Sequence, residues 1–313
     1  MTGGGNAAIV RAMSPRTPQL DTTAWVLLVA LSTVWGASFF FAEIALEELP
    51  PVTIVAVRMV IGVMGLWAIV AVVRPALPRD RGTWRDLFVM GILNNALPFS
   101  LIVTGQIWVT GGMAGVLNAT TPVFGVVAAH FLTSDEKLTP NRLAGVALGF
   151  LGVIVLMGPS VLEGREGQLL GGALLLTAAI SYASAGLWGR RLRHLSPVSA
   201  ATGQATCSMI ILVPAALILD QPWNLAPPSM LVWGSLIGVG LLSTTLAYLM
   251  FFAILKRAGG SNVMLVTLLV PPSAVVLGFL FLNEVVTPEQ LIGMALIGLG
   301  LVAIDGRLLR RFL

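Results

Sequence analysis

The side chains of this sequence best suited to hold a ligand are amides, hydroxyls and aromatic rings set inside apolar stretches: Trp35, Ser38, Asn94, Asn95, Asn118, Thr121, Tyr182, Thr244 and Tyr248. Such groups exchange hydrogen bonds and stack on flat or cationic surfaces. An amide among apolar neighbours is costly unless something polar meets it, so these positions are expected to line a binding cavity. Asn94 and Asn95 stand about 100° apart on an α-helix, so one is expected to face the cavity while the other bonds a neighbouring helix. Trp35 has two open readings, a stacking face and plain packing. Catalysis lacks its parts. The sequence contains no P-loop, no zinc-type His/Cys cluster and no Gly-Ser nucleophile motif, so neither metal nor other cofactor is expected, and the chain does not read as an enzyme.

Two charges interrupt the apolar sequence, Glu43 and Arg58. An isolated charge inside a membrane is expensive, and the expectation is that they pair across two helices as a structural or gating bridge, in preference to direct proton coupling. Prolines at 98, 122, 271 and 272 also fall inside apolar runs. A proline frees a carbonyl on the preceding turn and bends the helix, so Pro98, Pro122, Pro271 and Pro272 are expected to mark helix breaks that offer backbone acceptors to a central ligand. His130 and Trp188 are placed at the membrane interface.

The elements that position these residues follow from hydropathy. Hydrophobic residues make up 57% of the 313, charged residues only 10%, and mean hydropathy is +0.92, whereas soluble proteins carry roughly 25% charged residues. Apolar runs long enough to span a bilayer occur near 24–45, 52–73, 87–109, 112–132, 142–158, 168–189, 198–219, 229–254, 260–282 and 289–306. The expected fold is an all-α polytopic membrane protein of ten transmembrane helices. Residues 1–23 lack the apolar core of a cleaved signal peptide and read as a disordered cytoplasmic tail. With that tail inside and ten crossings, sixteen of the eighteen Lys and Arg residues fall on the cytoplasmic side, leaving Arg165 outside and Arg58 within a helix. This is the positive-inside pattern and predicts an inner-membrane protein with both termini cytoplasmic. It also accounts for a pI near 10.0 without nucleic acid as a partner. The lone Cys207 excludes an intrachain disulfide.

The chain also repeats itself. At an offset of 148 residues Glu136, Thr139, Pro140, Leu143 and Gly145 align with Glu284, Thr287, Pro288, Leu291 and Gly293, both reading E-x-x-T-P-x-x-L-x-G. The same register pairs Gly111 and Gly112 with Gly259 and Gly260, Phe131 and Leu132 with Phe279 and Leu280, and Gly152 with Gly300. Two halves, 24–158 and 168–308, each cross the membrane five times, so they sit inverted relative to one another, and inverted repeats suit alternating access to a midplane site. G-x-x-x-G spacings such as Gly145 with Gly149 read as close-packing devices.

With the Trp35–Ser38 W-G-A-S stretch, Pro51 with Arg58 at the start of the second span, and the twin E-x-x-T-P-x-x-L-x-G segments, the sequence resembles the EamA-type branch of the drug/metabolite transporter superfamily. The resemblance implies a ten-helix exporter of amino acids, related metabolites or cationic and aromatic drugs, with a cavity lined by helices 1, 3, 4, 6, 8 and 9. The expected partners are a small-molecule substrate and the lipid bilayer, with the chain monomeric or homodimeric. Neutral and aromatic lining favours amino acids or similar compounds; multidrug export is the alternative, and a non-transporting membrane subunit or an intramembrane enzyme is the alternative of another class.

Overall fold

The computed structural model describes residues 21–133, 138–258 and 265–305, so residues 1–20 of the expected tail lie outside the described residues. Among the described residues the chain is helical throughout, without strands. Ten spans follow in order. They are α1 (Thr22–Leu46), α2 (Pro51–Val73), α3 (Arg81–Gly105), α4 (Gly111–Leu132), α5 (Pro140–Leu162), α6 (Glu166–Trp188), α7 (Pro197–Leu219), α8 (Met230–Ala258), α9 (Val266–Phe281) and α10 (Pro288–Asp305). The first eight are long and apolar enough to cross a membrane, and α9 and α10 are shorter apolar helices. Large apolar side chains such as Val26, Met64, Phe131, Leu162 and Phe279 face outward, a surface that suits hydrocarbon better than water.

Helix starts are written locally. Asp21, Asp80, Thr110, Thr139, Ser196 and Ser229 each accept a hydrogen bond from an amide in the first turn of the helix that follows, satisfying donors that would otherwise be orphaned. Hydrogen bonds from the Thr83 amide and hydroxyl also hold the Asp80 carboxyl below the usual carboxylate range. The repeated T-P pair has the same role twice: Thr139 caps α5 through the Arg142 amide and Thr287 caps α10 through the Gln290 amide, with Pro140 and Pro288 at the first helical position, where no N–H is needed.

Contacts between helices exchange when the halves are exchanged. α5 packs on α10 and α2 on α7; α1 packs on α9 as α6 packs on α4; α8 packs on α1 as α3 packs on α6. That interchange is a twofold relation, and with five crossings per half its axis lies in the membrane plane. The repeated glycines lie on it. A Cβ on Gly145 would come within 2.5 Å of the Gly300 carbonyl oxygen, and one on Gly152 within 2.8 Å of the Gly293 carbonyl oxygen. Shifting either pair by the repeat gives the other, so these glycines let α5 and α10 touch backbone to backbone.

The proline expectation needs correction in α9. α4 is interrupted between Asn118 and Thr121, and Pro122 lies in the first turn of its second segment. Pro271 and Pro272 lie inside an uninterrupted α9, and Pro98 follows directly on a π-wound turn within α3. What recurs is a tightened turn just before the prolines: the Thr120 amide donates to the Leu117 carbonyl, and the Leu268 amide to the Leu265 carbonyl, one repeat apart. Pro122 falls in the first turn of its segment, where an N–H has no helical partner to lose, whereas Pro271 and Pro272 lie past the first turn of α9 and each give up a helical hydrogen bond without ending the helix. A cavity of about 20 Å³, water-sized, lies beside both turns and is lined by Val116, Ala119, Leu268 and Pro271 among others. A second matched irregularity was not legible in the proline pattern. α3 is π-wound over Ile92–Ala96 and α8 over Gly238–Leu246, again in repeat register.

Candidate functional site

The π turn of α3 sets the site. Its wider winding reduces the angle between successive side chains, so Asn94 and Asn95 both reach one network. Asn94 Nδ2 donates to Gln204 Oε1 of α7 at 3.2 Å and to the Tyr248 hydroxyl of α8 at 3.5 Å. Asn95 Nδ2 donates to Ser208 Oγ at 3.1 Å, and the Tyr248 hydroxyl donates to Asn95 Oδ1 at 3.4 Å. Gln204 Nε2 donates to the same tyrosine oxygen at 3.2 Å. Tyr248 is thus the node joining α3, α7 and α8. Asn95 is fully enclosed, whereas Asn94 is half-buried.

Arg58 enters from α2. It is 7% exposed, its Nε donates to Thr244 Oγ1 at 3.2 Å, and its guanidinium carbon lies 3.7 Å from the centre of the Phe99 ring. Thr244 in turn donates to the Val239 carbonyl inside the π-wound segment, so the second π turn positions the threonine that aims the arginine. Tyr182 meets Phe99 edge-on with ring centres 6.4 Å apart. The expected Glu43–Arg58 pair is not formed. Glu43 accepts from the Gly111 amide at 2.6 Å, and Arg58 faces aromatic rings and a hydroxyl, with no carboxylate partner among the described residues. Glu43 lies at the end of α1 where that helix meets the start of α4, and the α4 N-terminus supplies the donors an anion needs; Arg58 is held by its aromatic surroundings instead.

The remaining candidates divide. Trp35 packs 6.0 Å from Phe251, which is followed by Phe252 and, stacked on it at 6.0 Å, Tyr248. An aromatic wall therefore runs from Trp35 to the polar network. Ser38 spends its hydroxyl on the Trp35 carbonyl and Thr121 on the Asn118 carbonyl, the one that Pro122 leaves without an α-helical donor. Asn118 Oδ1 is buried with no partner among the described residues. Trp188 Nε1 donates to the Asp86 carbonyl, with the Arg191 guanidinium 4.1 Å over its ring. His130 Nδ1 accepts from the Leu138 amide. Gln204, Ser208 and Phe99 were not singled out by sequence reasoning. Gln204 alone carried a signal, as an amide within the apolar run of α7.

Seen as chemistry, the surroundings of Tyr248 and Arg58 offer a buried cation, neutral amides, hydroxyls and aromatic rings. They can bind and orient a small polar molecule; among the described residues no group of three or more His, Cys, Asp or Glu is placed to hold a metal.

Comparison with known proteins agrees with this architecture. The model of the EamA-like transporter family matches residues 22–158 and 169–304. A protein of Escherichia coli (strain K12) named "Probable amino-acid metabolite efflux pump" is 28% identical over 88% of this chain and 92% of its own length. The uncharacterized transporter YoaV of Bacillus subtilis (strain 168) is 24% identical over 88% of this chain and 94% of its own. A solved crystal structure superposes with a TM-score of 0.67 at 17% identity, covering 93% of this chain and 99% of that one, a likeness of fold alone.

Proposed function

The chain belongs to the EamA-like transporter family, and from that premise we propose that it exports small metabolites bearing a carboxylate, amino acids foremost, by alternating access around the Arg58–Tyr248 network. The observation that carries this reading is a buried arginine with no acidic partner among the described residues. A lone cation in the membrane interior is costly. A guanidinium matches a carboxylate with two parallel hydrogen bonds, so a substrate carboxylate completes the site in the way a protein carboxylate would elsewhere. Asn94, Gln204 and the aromatic wall from Trp35 to Tyr248 then face a neutral or aromatic remainder.

The lone cation disfavours the multidrug alternative, since a cationic drug would be repelled. A non-transporting role leaves both the twofold exchange of helix contacts and the matched turns without purpose, and catalysis has no acid, base or nucleophile cluster to work with in this network. Orientation follows from the charge distribution: both termini and the basic loops face the cytoplasm of the cell membrane. The names of the relatives from Escherichia coli and Salmonella typhimurium point to amino-acid metabolites as cargo there, in the same direction as this chemistry.

The test is counterflow into proteoliposomes holding purified protein, with a panel of amino acids, organic cations and sugars. Accumulation of labelled amino acids, saturable and competed by other carboxylates, is the expected result. Accumulation of organic cations in preference to amino acids would contradict the assignment.

A further inference from the structure

A second polar cluster lies where the end of α1, the start of α4 and the turn after α9 meet, apart from the Tyr248 network. The first free amides of α4 are taken by three side chains from three parts of the chain. Gly111 donates to Glu43 Oε2 at 2.6 Å, Gly112 to Glu284 Oε2 at 3.1 Å and Met113 to Thr110 Oγ1 at 3.3 Å. Glu284 is folded into place by its own turn: Asn283 adopts a left-handed φ of 55°, and the Glu284 amide donates to the Gly278 carbonyl at 3.1 Å. A Cβ on residue 278 would fall on that carboxyl, 2.5 Å from Oε1, so glycine there leaves the acid its room.

Both acids converge on one spot. The Cβ position of Gly111 lies 2.8 Å from Glu43 Oε2, 3.4 Å from Glu284 Oε1 and 3.5 Å from Gln106 Nε2. The charged groups facing Glu43 are Glu284 and Glu47, both acidic. A helix N-terminus supplies about half a positive charge, too little to balance two adjoining carboxylates that are both half-buried. A separate observation points the same way. Gln106 is 6% exposed and commits its Nε2 to the Phe39 carbonyl at 2.9 Å, while its Oε1 has no partner among the described residues, and neither has the buried Oε1 of Glu284. Acceptors outnumber donors, and the missing donor is a proton. Glu43 and Glu284 meet side chain to side chain, and two carboxyls in hydrogen-bonding contact hold one proton between them, because like charges so close do not both ionise.

We propose that Glu43 and Glu284 form a proton-binding site that ties α4 to α1 and α9 at this end of the bundle and makes the proton a coupled co-substrate of transport. The proton resides on one carboxyl as O–H and is donated to the facing oxygen of the other. Its release to water leaves two carboxylates, whose repulsion frees the start of α4. Glu43 belongs to the first half and Glu284 to the second, so loading the site favours the conformation in which the halves are closed here. The inference rests on the transporter reading and adds the coupling ion to it.

Infrared titration of the purified full-length protein in lipid tests the site without any cargo. Wild type is expected to show a protonated-carboxyl C=O band at neutral pH that disappears in Glu43→Gln and in Glu284→Gln. The glutamine amide keeps the shape and supplies a donor in place of the proton, and thermal unfolding of each variant verifies its fold. A band that is absent in wild type, or that survives in both folded variants, overturns the proposal. Counterflow gives the second arm: an imposed pH gradient is expected to stimulate wild-type accumulation, with the ratio of stimulated to unstimulated rates falling to one in each variant. Stimulation by a sodium gradient at constant pH, lost in the same variants, overturns the proton in favour of sodium. A correct band without counterflow of any amino acid refutes the cargo assignment and leaves the proton site standing.

Discussion

Arg58 keeps its charge inside the bundle by lying over Phe99 and bonding Thr244, and this predicts an uncommon separation of stability from activity. Removing a lone buried charge breaks no ion pair, so Arg58→Gln is expected to unfold at the wild-type temperature or above it. The loss of charge-assisted hydrogen bonds to the cargo is expected to weaken its binding about 10- to 100-fold; equilibrium binding and thermal unfolding on the same preparation check both halves. Tyr248→Phe should behave in the opposite way. It strips a hydroxyl shared by Asn94, Asn95 and Gln204 and should lower stability by about 1–3 kcal/mol. At this scale the sequence revealed residue types and hid their partners. Asn94, Asn95, Thr244 and Tyr248 could be named as polar residues in apolar runs, but Arg58 was matched to Glu43 because both lie near the same membrane surface, and only packing reveals that an aromatic ring and a helix N-terminus are the nearer partners.

Between residues and fold stand the irregular turns. The π-wound stretches of α3 and α8 lie in repeat register and hold Asn94, Asn95 and Thr244, whereas the prolines follow tightened turns without severing α9. Proline is visible in a sequence, but a π turn leaves no residue signature, so the sequence pointed to the interruption of α4 and missed the π turns. Small residues were better guides. Gly145 and Gly298 lie within the facing helices α5 and α10, yet a Cβ on Gly145 meets the Gly300 carbonyl while one on Gly298 meets nothing within 4 Å. Gly145→Ala should therefore destabilise by roughly 1–3 kcal/mol through overpacking. Gly298→Ala should be neutral, or stabilising by up to about 1 kcal/mol through helix propensity. Thermal unfolding of the two variants side by side distinguishes them.

For the molecule as a whole, the 148-residue register was legible because the same T-P helix start and the same glycines had to be used twice, and the exchange of α5–α10 and α2–α7 contacts follows from it. Helix count and inversion were likewise carried by hydropathy and by the parity of the basic loops. The location of the polar network was not, since Gln204 and Ser208 of α7 and Arg58 of α2 join it from helices outside the expected cavity lining. The proposed function requires a site that accepts a carboxylate and passes it across the bilayer. Counterflow of a neutral amino acid, compared with its carboxamide in proteoliposomes of wild-type and Arg58→Gln protein, tests that most directly. Wild type is expected to accumulate the acid and not the amide, and the variant to lose this discrimination; equal transport of acid and amide by wild type would contradict the account.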